Sequence, residues 1–253
     1  MYFSADRTVA DCLSGAPLRM GCFCMLAESR GVAGNAGGDF FGFQLLTPQH
    51  LSLVIGDACG RGQQAARLLR GVFPRLERLS HSAARPSQLL RLLNRVLVRE
   101  MPSDRFVTGA ALDLDARTGV LTVASAGHVP GMLRKRKGGV VAVGHASGPP
   151  LGLFKHSHYR DDSYRIGGGD LVVFMTDGLL EAVETDLERL PTLTRLVASA
   201  PAGGKGVQQR LLAAFEQNQN SRCMKDDVTL LSLEVLATNA LTSSRSLKLA
   251  ALH

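Results

Sequence analysis

Strand-length apolar runs come in groups, and helical repeats come in pairs between them. No other feature limits the possible folds as much. Cys22–Ala27, Phe40–Leu46 and Leu51–Ile55 are short and partly β-branched or aromatic, which favours strands, the last two paired across Thr47-Pro48-Gln49. Gln63–Ser80 and Pro86–Glu100 then place leucines at helical spacing; Pro74 is expected to kink or split the first, and Pro86 suits the opening turn of the second. The β pattern resumes over Phe106–Asp113, Val120–Ser125, Gly131–Arg136, Val140–Val143, His158–Ile166 and Leu171–Thr176. A second helical pair, Thr192–Ala200 and Val207–Gln217, precedes a last strand at Val228–Leu236. Strands in runs, without regular βαβ alternation, predict an α+β fold with largely antiparallel sheets whose outer faces are covered by helix pairs. There is no linker or internal repeat, so one domain is expected over residues 20–237. Residues 1–19 form a weakly structured extension, and residues 238–253 a loose tail.

Composition supports a real core: 253 residues with 45% hydrophobic content exceed what a disordered chain carries. Tryptophan is absent and aromatics make up 5%, which argues against single-strand nucleic-acid binding by base stacking. The net charge of +7 reads as dispersed apart from Arg134-Lys135-Arg136-Lys137, which the following Gly138-Gly139 marks as a solvated hairpin tip. Five cysteines without CxxC spacing point to reduced thiols and a cytoplasmic protein. No signal peptide is recognisable at the N-terminus, and no apolar run approaches the ~20 residues of a membrane span.

Acidic residues recur where strands end. Asp39 follows Gly37-Gly38; Asp57 closes the run Leu51–Ile55 and precedes Ala58-Cys59-Gly60-Arg61-Gly62; Asp177 follows Leu171–Thr176; Asp226-Asp227 opens the last strand. Two readings stay open at this point. Gly-Asp pairs are common in turns, where Asp caps backbone groups. Carboxylates held at sheet ends could instead collect hard divalent cations, without which their mutual repulsion would be severe.

The blocks GGDFF, GDACGRGQQAA, FVTGAALDLDARTGVLTVASAGHVPGML, GPPLGL, GDLVVFMTDGLLEAVE and DDVTLL occur in that order. Together they resemble the bacterial metal-dependent protein phosphatases of the PPM (type 2C) family, SpoIIE/RsbU-like class, from about Gly37 to Val235. The resemblance implies a four-layer α-β-β-α sandwich with two Mn²⁺ or Mg²⁺ ions between the sheet ends. It implies that Asp57 bridges the metals, that the Ala58 carbonyl binds one, that Asp39 acts through water, and that Asp177 and Asp226 complete the site. Asp226 is chosen over Asp227 because the family pattern puts the ligand first, leaving Asp227 to cap the turn. The implied reaction is in-line attack of an activated water on phosphoserine or phosphothreonine. The implied partner is a phosphorylated regulatory protein, typically an anti-sigma-factor antagonist of STAS fold. The chain departs from the pattern at Gly42, where a second acidic residue is frequent, at Arg61, where His or Lys is frequent, and at Ala58, which is often Gly or Val.

Other polar residues have simpler readings. His128, in the AGH block, is expected to be structural; His145, His156 and His158 are surface residues; Asp113, Asp115, Asp161 and Asp162 belong to turns and loops. Three functions compete. The first is an active phosphatase, and the second a pseudophosphatase that only binds phosphoproteins. The third is a basic nucleic-acid binder, which a steep salt dependence of binding would reveal. Control is expected from an activator or homodimer contact through Gln63–Glu100.

Overall fold

The computed structural model describes residues 2–4, 17–30, 38–60, 63–80, 83–102, 104–183, 189–219 and 226–236. The chain opens with β1 (Tyr2–Ser4), β2 (Leu18–Met20), β3 (Phe23–Arg30), β4 (Asp39–Thr47) and β5 (His50–Ala58). Helices α1 (Gln63–Ser80) and α2 (Pro86–Glu100) follow. Next come β6 (Val107–Asp115), β7 (Val120–Ala126), β8 (Gly131–Arg134), β9 (Val140–Val143), β10 (Asp162–Arg165) and β11 (Leu171–Met175). The described chain closes with α3 (Asp177–Val183), α4 (Arg189–Ser199), α5 (Gly203–Gln219) and β12 (Val228–Val235). Two six-stranded antiparallel sheets result, in the orders β1-β4-β5-β6-β7-β10 and β2-β3-β12-β11-β8-β9.

Period-2 alternation sorts the side chains into three apolar layers. Along β5, Leu51, Leu53 and Ile55 point between the sheets, while Val54 and Ala58 point to α1 and α2. Along β12, Leu231, Leu233 and Val235 enter the inner layer, while Val228 and Leu230 face α4 and α5. The expected α-β-β-α sandwich is therefore present. Its innermost layer is dry: Phe23, Met25, Leu53, Ile55 and Phe174 are essentially inaccessible to solvent. Truncating such a side chain to Ala typically costs 2–5 kcal/mol.

Several expectations are corrected. Residues 1–19 are not uniformly irregular: β1 pairs with β4 through Phe3↔Phe41, and β2 pairs with β3. Strands of three residues are too short to show an alternation in sequence. Pro74 does not split α1, which runs through it as one 18-residue helix. The strand predicted at His158–Ile166 begins only at Asp162, because Tyr159 turns inward and its hydroxyl donates to the Pro149 carbonyl. The tail at residues 238–253 lies outside the described residues.

Distant partners claim side chains that read as solvated. Arg134 donates to the carbonyls of Ala200 (2.8 Å) and Pro201 (3.0 Å), just beyond the C-terminus of α4, and Lys135 pairs with buried Asp170. Only the outer half of that basic run is a solvated tip. Asp161 is no free loop residue; it accepts from the Ser87 amide and hydroxyl, capping the first turn of α2. Asp115 accepts turn amides as expected, whereas Asp113 is paired with His50 at 2.7 Å. Nor is the charge dispersed. Helices α1 and α2 carry Arg67, Arg70, Arg75, Arg78, Arg91, Arg95 and Arg99 against Glu77 and Glu100. Cys22, Cys24 and Cys59 are free thiols, and no described helix is long and apolar enough to cross a membrane.

Buried Asn94 of α2 ties down the loop after β9: its amide donates to the Phe154 carbonyl (2.9 Å) and its Oδ1 accepts from the Gly152 amide (2.9 Å). Asn94→Leu would leave both backbone groups without that partner. Urea unfolding is expected to show a loss of about 2–4 kcal/mol; a variant as stable as wild type would mean that the loop does not depend on this bridge.

Candidate functional site

The site forms where one end of each sheet meets the other. In the β4–β5 ladder Asp39 stands directly opposite Asp57, because β4 begins where β5 ends. In the second sheet, β11 ends at Met175 and β12 begins at Val228, so Asp177 and the pair Asp226-Asp227 flank the same end. Thr176 joins the two sheets. Its amide donates to the Thr229 carbonyl (3.0 Å), its hydroxyl accepts from the Thr229 amide (2.8 Å), and the hydroxyl donates to Asp39 Oδ2 at 2.7 Å. Asp39 is only 2% exposed, so this bond fixes a carboxylate that water barely reaches.

Two glycines let the parts approach. A Cβ on Gly38 would fall 2.5 Å from both Asp57 Oδ1 and the Ala58 carbonyl oxygen, so these two oxygens border one gap that only glycine leaves open. The Gly38 amide donates to Asp227 Oδ2 (3.1 Å) and its carbonyl accepts from the Ala58 amide (2.9 Å), locking the gap's walls together. A Cβ on Gly178 would fall 2.0 Å from the Asp227 carbonyl oxygen, so the start of α3 lies directly against the Asp226-Asp227 turn.

The electrostatics follow from this crowding. Burial, and then the facing carboxylates of Asp177, Asp226 and Asp227, push Asp57 up to about 7. Burial and then Asp57 hold Asp39 well above the usual carboxylate range, with Thr176 pulling the other way. The structure thus brings Asp39, Asp57, Ala58, Asp177 and Asp226 to one place, together with Asp227. Carboxylates and a backbone carbonyl are hard oxygen donors suited to Mg²⁺ or Mn²⁺. The gap over Gly38 fits that chemistry. Among the described residues no three Asp, Glu, His or Cys side chains close on one point, so the site is defined by its donor set and not by a formed coordination shell.

His128 lies behind the site and not in it. It is buried, its Nδ1 lies 3.3 Å from the hydroxyl of Thr108, and Thr108 is the ladder partner of Asp57. Burial lowers its pKa to about 4, so the ring is neutral, and its Nε2 is buried with no hydrogen-bond partner among the described residues. That environment is structural. His145, His156 and His158 are exposed. Thr176 and Gly38 were missed in the sequence; the available signals were a hydroxyl immediately before Asp177 and the second glycine before Asp39.

The profile of the family described as Stage II sporulation protein E (SpoIIE) matches residues 47–236. The chain belongs to the SpoIIE family. A related protein is phosphoserine phosphatase RsbU of Bacillus subtilis (strain 168), 27% identical over 207 residues, which cover 79% of this chain and 60% of RsbU. The chain therefore spans less than two thirds of that relative. Among solved structures, the RsbU and RsbW domains of Rv1364c from Mycobacterium tuberculosis superpose with a TM-score of 0.72 at 29% identity, covering 87% of this chain and 63% of that one. RsbX in complex with magnesium gives 0.64 at 17% identity, covering 87% of this chain and 98% of RsbX, and shares the fold. The SpoIIE-family match spans three of the strand-end acidic blocks, Asp57, Asp177 and Asp226-Asp227, and starts after Asp39.

The raised carboxyl of Asp57 sets a pH dependence in metal-free protein. Its folded pKa of about 7 exceeds the ordinary 3.8, so the folded state holds a proton that the unfolded state releases. The resulting penalty is full above pH 7, is relieved as pH falls toward 4, and is on the order of 2–4 kcal/mol. In EDTA, Asp57→Asn should therefore be more stable than wild type at pH 8, with the difference vanishing near pH 4. Urea midpoints of the two proteins that stay equal at pH 8 would contradict this.

Proposed function

We propose that residues 20–237 form a metal-dependent protein-serine/threonine phosphatase acting on a phosphorylated regulatory protein, an anti-sigma-factor antagonist of STAS fold. The observation that carries this reading is the meeting of Asp39, Asp57, Asp177 and Asp226 at one end of the sandwich, with the Ala58 carbonyl beside them. The name of RsbU, a phosphoserine phosphatase, and the magnesium complex of RsbX agree with it.

In this reading Asp57, the Ala58 carbonyl, Asp177 and Asp226 hold two Mn²⁺ or Mg²⁺ ions, and Asp39 acts through water. When bound, such ions lower the pKa of water and clamp a phosphoryl group. The chain's own residues supply the positioning. The Thr176 hydroxyl fixes one oxygen of Asp39, so that its other oxygen is aimed and not free to rotate. Asp227, by accepting from the Gly38 amide, holds the β4 entry against the β12 entry and keeps the sheet ends in register. The carboxylate cluster repels a bare phosphate ester, which makes substrate binding dependent on the cations. An activator or a second copy acting through α1 and α2 would reach Asp57 through the turn that joins β5 to α1.

A phosphoserine peptide assayed with and without Mn²⁺ tests the reading. Turnover should require the metal, and Asp57→Asn should lower it by more than about 100-fold, since even groups that only orient a metal ligand are worth 10–100-fold. Metal binding without turnover in wild type would favour the pseudophosphatase.

A further inference from the structure

Beside the site, between α1 and the C-terminal end of α2, lies a groove of about 480 Å³ that the chemistry above does not use. Its polar lining is Gln64, Arg67, Arg75, Glu100 and Arg105. Arg75 pairs with Glu100, and Arg105 Nη2 donates to Gln64 Oε1 at 3.0 Å. Exposed Asp104 lies 3.7 Å from Arg105 Nε. Among the described residues none pairs with the guanidinium of Arg67, which is exposed on α1. The lining therefore carries three cations against one anion, on a helix pair that is arginine-rich throughout.

The groove is joined to the site by strand register. Ala58 pairs with Val107, and the Cys59 amide donates to the Phe106 carbonyl, so the chain leaving β5 runs beside the chain entering β6. Arg105 Nη1 lies 2.9 Å from where a Cβ on Gly60 would stand. Gly60 is three residues past Asp57, so the two lie at most about 10 Å apart. The other wall leads to apolar surface: a Cβ on Gly152 would touch Met101, and the next residues, Leu153 and Phe154, are 36% and 60% exposed.

From this juxtaposition we infer that the groove docks an acidic segment of the protein substrate, lying about three to five residues from the phosphorylated side chain. The identity of the occupant rests on the phosphatase reading; the existence of an acidic-peptide site does not. Arginine forks match carboxylates, and the apolar rim at Leu153 and Phe154 suits a protein better than a free anion. The spacing follows from the upper limit on the separation of Asp57 from Gly60, against which Arg105 lies.

The test is fluorescence anisotropy of a labelled Asp/Glu-rich peptide and a neutral peptide of equal length with the full chain, at low and physiological salt. The acidic peptide should bind at least tenfold more tightly than the neutral one. Arg67→Glu alone, and Arg67→Glu with Arg105→Glu, should each weaken it tenfold or more while melting as wild type does. Arg78→Glu with Arg95→Glu, which removes the same charge outside the groove, should leave binding within about threefold. Equal losses from both pairs, or none from either, would overturn the site. So would a single-stranded oligonucleotide that binds more tightly than the peptide and is lost in the same variants. Peptide binding kept by a wild type without turnover would sink the phosphatase and leave the groove. Turnover that ignores flanking acidity and Arg67 would do the reverse.

Discussion

Like charges facing each other out of water are the constraint on which this structure turns. Asp39 and Asp57 are ladder partners, and two more acidic entries from the other sheet press on the same space. Nothing in an apolar sandwich favours that arrangement for its own sake. It persists because each wall is fixed independently: Asp39 by the Thr176 hydroxyl, the Gly38 backbone by Asp227 and Ala58, and both sheets by a solvent-free layer of aliphatic and aromatic side chains. The sandwich therefore supplies rigidity at the place where the sequence supplies repulsion. A divalent cation is the natural counterweight.

The two outer layers do different work. The α3–α5 layer is anchored to the hairpin of β8 and β9 by Arg134, which satisfies carbonyls just past α4. The α1–α2 layer is tied to loops from far along the chain, through Asn94 to Gly152 and Phe154 and through Ser87 to Asp161. Its outward surface is strongly basic while the sheet ends beside it are acidic. In the proposed phosphatase reading, a phosphorylated substrate approaching the acidic centre would gain long-range attraction from such a neighbour.

Much of this was legible in the sequence, for reasons that can be named. The strands β5, β11 and β12 announce themselves because one face of each meets the inner layer and the other meets helices, so apolar residues run nearly unbroken between the strand and the acid at its end. Asp39, Asp57, Asp177 and Asp226 stood out because each sits where such a run meets a turn. What was not legible depends on partners far away in sequence. Nothing in Arg134-Lys135 hints at Ala200 or Asp170, and nothing in Asp161 hints at Ser87. Thr176 reads as one more strand residue until Asp39 is found 137 positions away at its hydroxyl. Strands as short as β1 and β2 carry too few side chains for a pattern.

The strand β1 has a consequence of its own. It is the outermost strand of its sheet and covers Phe40, Phe41 and Gly42, the residues that directly follow Asp39. Without it the backbone of β4 would be a bare edge, open to pairing with any extended chain. A foreign strand added there would lie against the residues that set the position of Asp39. Residues 2–4 thus cover the edge beside the acidic centre, and displacing them would bear on the site even though they touch none of the carboxylates.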